Sequence, residues 1–170
     1  MAEIQANGGK AIAIAADVAD EQQVLSLFNE TEREFGAVTH LVNNVGVLFT
    51  QSPLADISLE RFQTVMSTNV VSCFLCCREA AKRFSAGGAI VNVSSGASRS
   101  GAPFEYVDYA TSKGAMDTLT KGLSLELAER NIRVNGVRPG FIYTDMHADG
   151  GEPNRVDRLS LKFLLNAAAQ

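Results

Sequence analysis

Tryptophan is absent from these 170 residues, and proline, cysteine and histidine are scarce at 4, 3 and 2. Three cysteines, an odd number, cannot build the disulfide framework on which small secreted domains rely. Cys73, Cys76 and Cys77 sit together, but His40 and His147 are remote in sequence and no second cysteine pair exists. No metal site is therefore expected, and the three read as buried or half-buried thiols. Long hydrophobic runs are missing too. The apolar stretches at residues 10–18, 39–50 and 88–93 fall far short of the ~20 residues that span a bilayer, so no membrane segment is expected. Nor is there a basic run. Lys and Arg total 15 against 19 Asp and Glu, a net charge of −4, so nucleic acid and anionic membrane surfaces are not expected partners. The opening residues lack a basic stretch followed by an apolar one, so no secretory signal is read and a cytoplasmic location is the default.

What is present is a chain 46% hydrophobic and 20% charged, of a length that fits one globular domain. Residues 10–18, KAIAIAADV, form a short apolar run that reads as a buried strand ending on Asp17. Glu21–Phe35 spaces Val24, Leu25, Phe28 and Phe35 among charges, an amphipathic helix stopped by Gly36. Residues 39–47 return to strand character. From 58 to 84, Phe62, Met66, Val70, Cys73, Cys77, Ala80 and Phe84 recur every three or four residues, which predicts one long core helix. A strand at Ala89–Val93, a helix over residues 107–128 and a strand over 132–137 complete the pattern. Strands separated by helices of this length predict a parallel sheet with helices on both faces.

In such a sheet, ligands gather at the carboxyl ends of the strands. Those ends carry Asp17, the run from Asn43 through Asn44 and Val45 to Gly46, Ser94 with Ser95, and Pro139 with Gly140. Asn69 falls on the apolar stripe of its helix, where an unpaired amide would cost ~1–3 kcal/mol, so it needs partners: a structural hydrogen bond or a water in a site. Tyr109 and Lys113, four residues apart, share a face near the start of their helix with Met116, Leu123 and Leu127. A lysine ammonium near a phenol lowers the phenol's pKa, so Tyr109 is expected to be drawn down toward neutrality and to serve as a general acid or base.

These motifs, N-N-V-G at 43–46, Asn69, I-V-N-V-S-S at 90–95, Y-A-T-S-K at 109–113 and R-V-N-G-V-R-P-G at 133–140, stand in the order found in the short-chain dehydrogenase/reductase family. Over about residues 8–150 the chain resembles that family. The resemblance implies a Rossmann-type, doubly wound parallel sheet and hydride transfer between NAD or NADP and an alcohol or carbonyl substrate. It implies Tyr109 as the proton-transfer residue, Lys113 holding the nicotinamide ribose, Ser95 on the substrate oxygen and Asn69 ordering a relay water. It further implies Asp17 and Val18 at the adenine ring, Asn43 and Gly46 on the adenosine side, and Pro139, Gly140, Ile142 and Thr144 at the nicotinamide end.

The sequence departs from the family pattern in three places. The family's opening strand, its T-G-x-x-x-G-x-G turn and its second strand are not found, so the residue that separates NAD from NADP cannot be read. The last strand is missing as well, which makes residues 1–158 a partial Rossmann domain and 159–170 a divergent tail. Val45 stands where alanine is usual, and Tyr109 lies one residue farther from Ser95 than is common. The expectation is an alcohol/carbonyl oxidoreductase that forms homo-oligomers through its two long helices. The alternative is a catalytically inactive, truncated family member or gene-model fragment without the phosphate loop.

Overall fold

The computed structural model describes residues 1–85 and 87–160. Helix α1 (Ala2–Ala6) leads through an irregular stretch to α2 (Glu21–Phe35), then to strand β1 (His40–Asn43). Helix α3 (Leu59–Met66), a π-helical turn (Ser67–Val71) and α4 (Ser72–Arg83) form one continuous run before β2 (Ala89–Val93). The short helix α5 (Ala97–Ser100), α6 (Val107–Glu126), β3 (Arg133–Val137) and α7 (Met146–Asp149) follow, and residues 155–160 are helical. Of the tail expected at 159–170, only Leu159 and Ser160 lie within the described residues.

Local chemistry sets the ends of these elements. Asp20 caps α2 by accepting the Gln22 and Gln23 N–H groups at 2.8 and 3.0 Å, and Gly36, at φ 81°, closes the other end. Beyond α6 the chain turns back at Asn131, which takes the left-handed φ of 55° that asparagine tolerates. Arg83 ties α4 to α2: its guanidinium donates to Glu32 and Asn29, both at 2.8 Å, and lies over the Phe28 ring.

The sheet is parallel in the order β1-β2-β3, with Asn43 beside Asn92 and Asn92 beside Gly136. Strands that advance in one direction through right-handed crossovers place successive helices on the same face. Here α2, α4 and α6 cover the face bearing Leu41, Ile90 and Val134, and the core between them holds Val24, Phe28, Cys77, Phe84, Met116 and Ile132. Each of the larger buried side chains contributes roughly 1.5–3 kcal/mol of burial. On the other face Val42 is 64% and Val137 46% exposed. The second helical layer predicted from the sequence is not found among the described residues.

Two further expectations change. Residues 10–18 form no strand: without a neighbouring strand their N–H and C=O groups have no ladder to join, and apolar character alone cannot supply one. The helix predicted over 58–84 is interrupted by the π turn, which adds a residue to the repeat. Val65, fully buried, takes the core position expected of Phe62 and Met66, both half-buried. The remaining elements fall within a few residues of their predicted ends.

An uncovered valine face is an association surface. Val42→Lys combined with Val137→Lys is expected to leave the circular dichroism spectrum unchanged and to reduce self-association in sedimentation velocity. Equal association of variant and parent would show that this face is not sticky.

Candidate active site

Because the strands are parallel, the loops after β1, β2 and β3 emerge at one edge of the sheet. Two backbone bonds join the ends of β2 and β3: Ser94 N–H donates to the Val137 carbonyl at 2.8 Å, and Gly96 N–H to the Pro139 carbonyl at 3.0 Å. The first turns of α6 lie against this edge. Lys113 Nζ donates to the Val93 carbonyl at 2.8 Å, and Ser94 Oγ donates to the Lys113 carbonyl at 3.2 Å.

Asn69 sits in the π turn and is fully buried. Its Oδ1 accepts the Val47 N–H at 2.7 Å, and its Nδ2 donates to the Val47 carbonyl at 3.1 Å and to Ser112 Oγ at 3.0 Å. The amide that its place on the apolar stripe required to have partners is thus bonded to two segments at once. One acceptor position on Oδ1 remains.

Lys113 is buried, and no carboxylate among the described residues lies within ion-pair range of its ammonium. Burial pushes its pKa down, with Cys73 and Asp117 pulling the other way. The ammonium lies over the Tyr109 ring, 5.6 Å from its centre. The sequence expectation for Tyr109 is corrected here: its pKa is raised, because burial penalises the phenolate more than the Ser95 hydroxyl beside it helps. Lys113 spends its hydrogen bonding on Val93 and on the Met116 sulfur, 3.5 Å away, and not on the phenol. A Cβ at Gly46 would stand 3.4 Å from Lys113 Nζ and 3.5 Å from Asn69 Oδ1. Gly46 therefore keeps open a gap bordered by a buried cation and an amide oxygen.

The structure gathers Gly46, Asn69, Ser95, Tyr109 and Lys113 at this edge. Asn43 turns its amide into the sheet instead, donating to Asn92 Oδ1 at 2.8 Å and Cys77 Sγ at 3.2 Å, and Asn92 passes the chain on to Thr120 Oγ1 at 2.9 Å. Asp17 is exposed and engaged locally: its N–H donates to Gln23 Oε1 at 2.8 Å and its carboxylate accepts Ala19 N–H at 2.9 Å. Val18 packs against the core beside it. Pro139 and Gly140 follow β3 after Arg138, while Ile142 and Thr144 are exposed on the segment that leads into α7. Cys73, Cys76 and Cys77 are buried free thiols, and burial pushes Cys76 up to about 11. Ser112, Arg61 and Asp108 also touch the site's supports. In the sequence Ser112 stands inside the Y-A-T-S-K motif and Asp108 is adjacent to Tyr109, while Arg61 carries no signal.

The sequence profile described as short chain dehydrogenase matches residues 1–154. The chain belongs to that family. It is 56% identical over 168 residues to the uncharacterized oxidoreductase YgfF of Escherichia coli (strain K12), covering 96% of this chain and 68% of that protein. It is 40% identical over 162 residues to an NADPH-dependent aldehyde reductase-like protein, chloroplastic, of Arabidopsis thaliana, covering 93% of this chain and 60% of that protein. Among solved structures, a blue fluorescent protein from a metagenomic library in complex with NADPH superposes with a TM-score of 0.82 at 35% identity, over 91% of this chain and 63% of that one. The short-chain dehydrogenase chain described here thus spans only part of the length of the relatives it matches, and its Rossmann-type sheet is correspondingly partial.

The gap at Gly46 gives a graded expectation. Gly46→Ala fits at ordinary contact distance and should leave the urea midpoint nearly unchanged. Gly46→Leu must displace Lys113 or Asn69 and should cost about 1–3 kcal/mol. Equal stability of the two variants would show that the gap is not constrained.

Proposed function

We propose that this chain carries the proton-transfer site of an oxidoreductase that interconverts an alcohol and a carbonyl, with NAD(H) or NADP(H) as the hydride carrier. The supporting observation is the buried Lys113 ammonium, unpaired by any carboxylate among the described residues, beside the Tyr109 phenol. A buried cation of that kind suits the hydroxyl groups of a sugar, which it can bond without an opposing charge. The residues present therefore fit the nicotinamide ribose. Solved relatives hold NADPH, NADP or NAD+, which supports either cofactor here.

When bound, the nicotinamide supplies or accepts the hydride. The chain's own residues handle the proton. Tyr109 gives its phenolic proton to the substrate oxygen in reduction and takes it back in oxidation. Ser95 donates a hydrogen bond to the same oxygen and fixes it beside the phenol. Lys113 holds the ribose hydroxyls, and the free acceptor position on Asn69 Oδ1 holds a water through which the proton reaches solvent. Pro139, Gly140, Ile142 and Thr144 border the nicotinamide end, Asn43 and Gly46 the adenosine side, and Asp17 and Val18 the adenine. No residue of the chain is assigned to the pyrophosphate. Assembly with further copies through α4 and α6 belongs to the same reading.

With no tryptophan in the chain, nicotinamide fluorescence can be followed without energy transfer from indole. Titration with NADH and NADPH should give saturable binding, weakened at least about tenfold in Lys113→Ala through loss of charge-assisted hydrogen bonds. Equal binding by the variant, or none by a demonstrably folded parent chain, would contradict the proposal.

A further inference from the structure

Asn69 is not alone in gripping the loop after β1 and the start of α6. Arg61, two helical turns earlier, grips the same two pieces with different chemistry. Its Nη1 donates to the Thr50 carbonyl at 2.7 Å, its Nε donates to Asp108 Oδ2 at 2.7 Å, and its Nη2 lies 3.4 Å from Asp108 Oδ1. The strip of residues 47–50 is therefore pinned at both ends, by Asn69 at Val47 and by Arg61 at Thr50. Helix α6 is pinned at Ser112 and Asp108, one helical turn apart.

Tyr109 lies between those two pins, and its backbone is bonded to both. Asp108 Oδ1 accepts the Tyr109 N–H at 2.9 Å, one of the donors that a helix start leaves without a partner. Ser112 Oγ donates to the Tyr109 carbonyl at 2.7 Å. The Asp108 side chain is 1% exposed and that of Arg61 17%, so this is a desolvated ion pair in which neither partner is replaceable by water. Only a planar guanidinium can reach the carboxylate and the Thr50 carbonyl in one rigid fork. The pinned strip also carries Leu48, which packs with Tyr106, Ala110 and Tyr109.

We infer that Arg61 and Asp108 are positioning residues for Tyr109: the ion pair fixes the first turn of α6 against the strip 47–50 and so holds the phenol at the Ser95 hydroxyl. This rests on the reading of Tyr109 as the proton-transfer group. The clamp acts through the backbone, so Arg61 and Asp108 need touch neither substrate nor cofactor.

The chain has three tyrosines, which NMR of protein carrying 13C at tyrosine Cζ resolves one by one during a pH titration. The charged groups facing Tyr109 are Lys113 over its ring and Asp108 beside it, and Arg61→Lys alters neither charge while removing the fork. In Arg61→Lys, the Tyr109 titration should move down by about half a pH unit or more, toward the ordinary phenol value, as burial relaxes. Tyr143 should titrate as in the parent. Asp108→Glu, a second variant that keeps the charge but displaces the carboxylate from the guanidinium fork, should move Tyr109 the same way. A Tyr109 titration and Cζ shift identical to the parent in Arg61→Lys, with only a lower melting temperature, would overturn the inference and leave the pair a purely structural bond. Should Asp108→Glu not fold, Arg61→Lys decides alone. The readout needs no cofactor: absence of nicotinamide binding by the parent chain would count against the proposed function, and an unmoved Tyr109 against the clamp.

Discussion

The loop after β1, the π turn and α6 meet on one side chain, the amide of Asn69. Its oxygen takes the Val47 N–H and its nitrogen serves the Val47 carbonyl and the Ser112 hydroxyl. In a buried setting each of those bonds is costly to lose, because the group left behind has no water to turn to. The π turn is what places the amide there: it shifts the helix register so that Val65 and Asn69 face the core together, while Phe62 and Met66 stand at its margin. A polar residue on an apolar stripe is thereby the joint of the site.

Sheet handedness supplies the rest of the geometry. Strands advancing one way stack α2, α4 and α6 on a single face, and all three carboxyl ends open on one edge. The backbone bonds from Ser94 to Val137 and from Gly96 to Pro139 lock the ends of β2 and β3 together. Lys113 then reaches the Val93 carbonyl from above, and its ammonium is buried by the same packing that half-buries the Tyr109 ring. The electrostatic consequence is that both groups have their neutral forms favoured: lysine is pushed down and tyrosine up.

Much of this was readable in the residues. Periodicity gives α2 and α6, a C-terminal glycine ends α2, apolar runs give β2 and β3, and the polar ends of the three strands mark the edge of the candidate site. Asn69 announces itself by its place among apolar neighbours. Other features escape for physical reasons. A strand is defined by its partner, so the run at 10–18 could not reveal that none stands beside it. The π turn breaks the very period used to assign the stripe. The direction of the Tyr109 shift depends on burial outweighing the Ser95 hydroxyl beside it, and burial is set by the packing of α6 against the sheet. Arg61 and Asp108, 47 residues apart, read separately as ordinary helix charges.

The Asn69 amide assembles this edge before any ligand arrives. The most direct test is hydrogen exchange at the Val47 amide, read residue by residue, in the parent chain and in Asn69→Leu. Strong protection in the parent, lost in the variant while the amides in the middle of α6 stay protected, is the predicted result. Equal protection of Val47 in both proteins would contradict the claim.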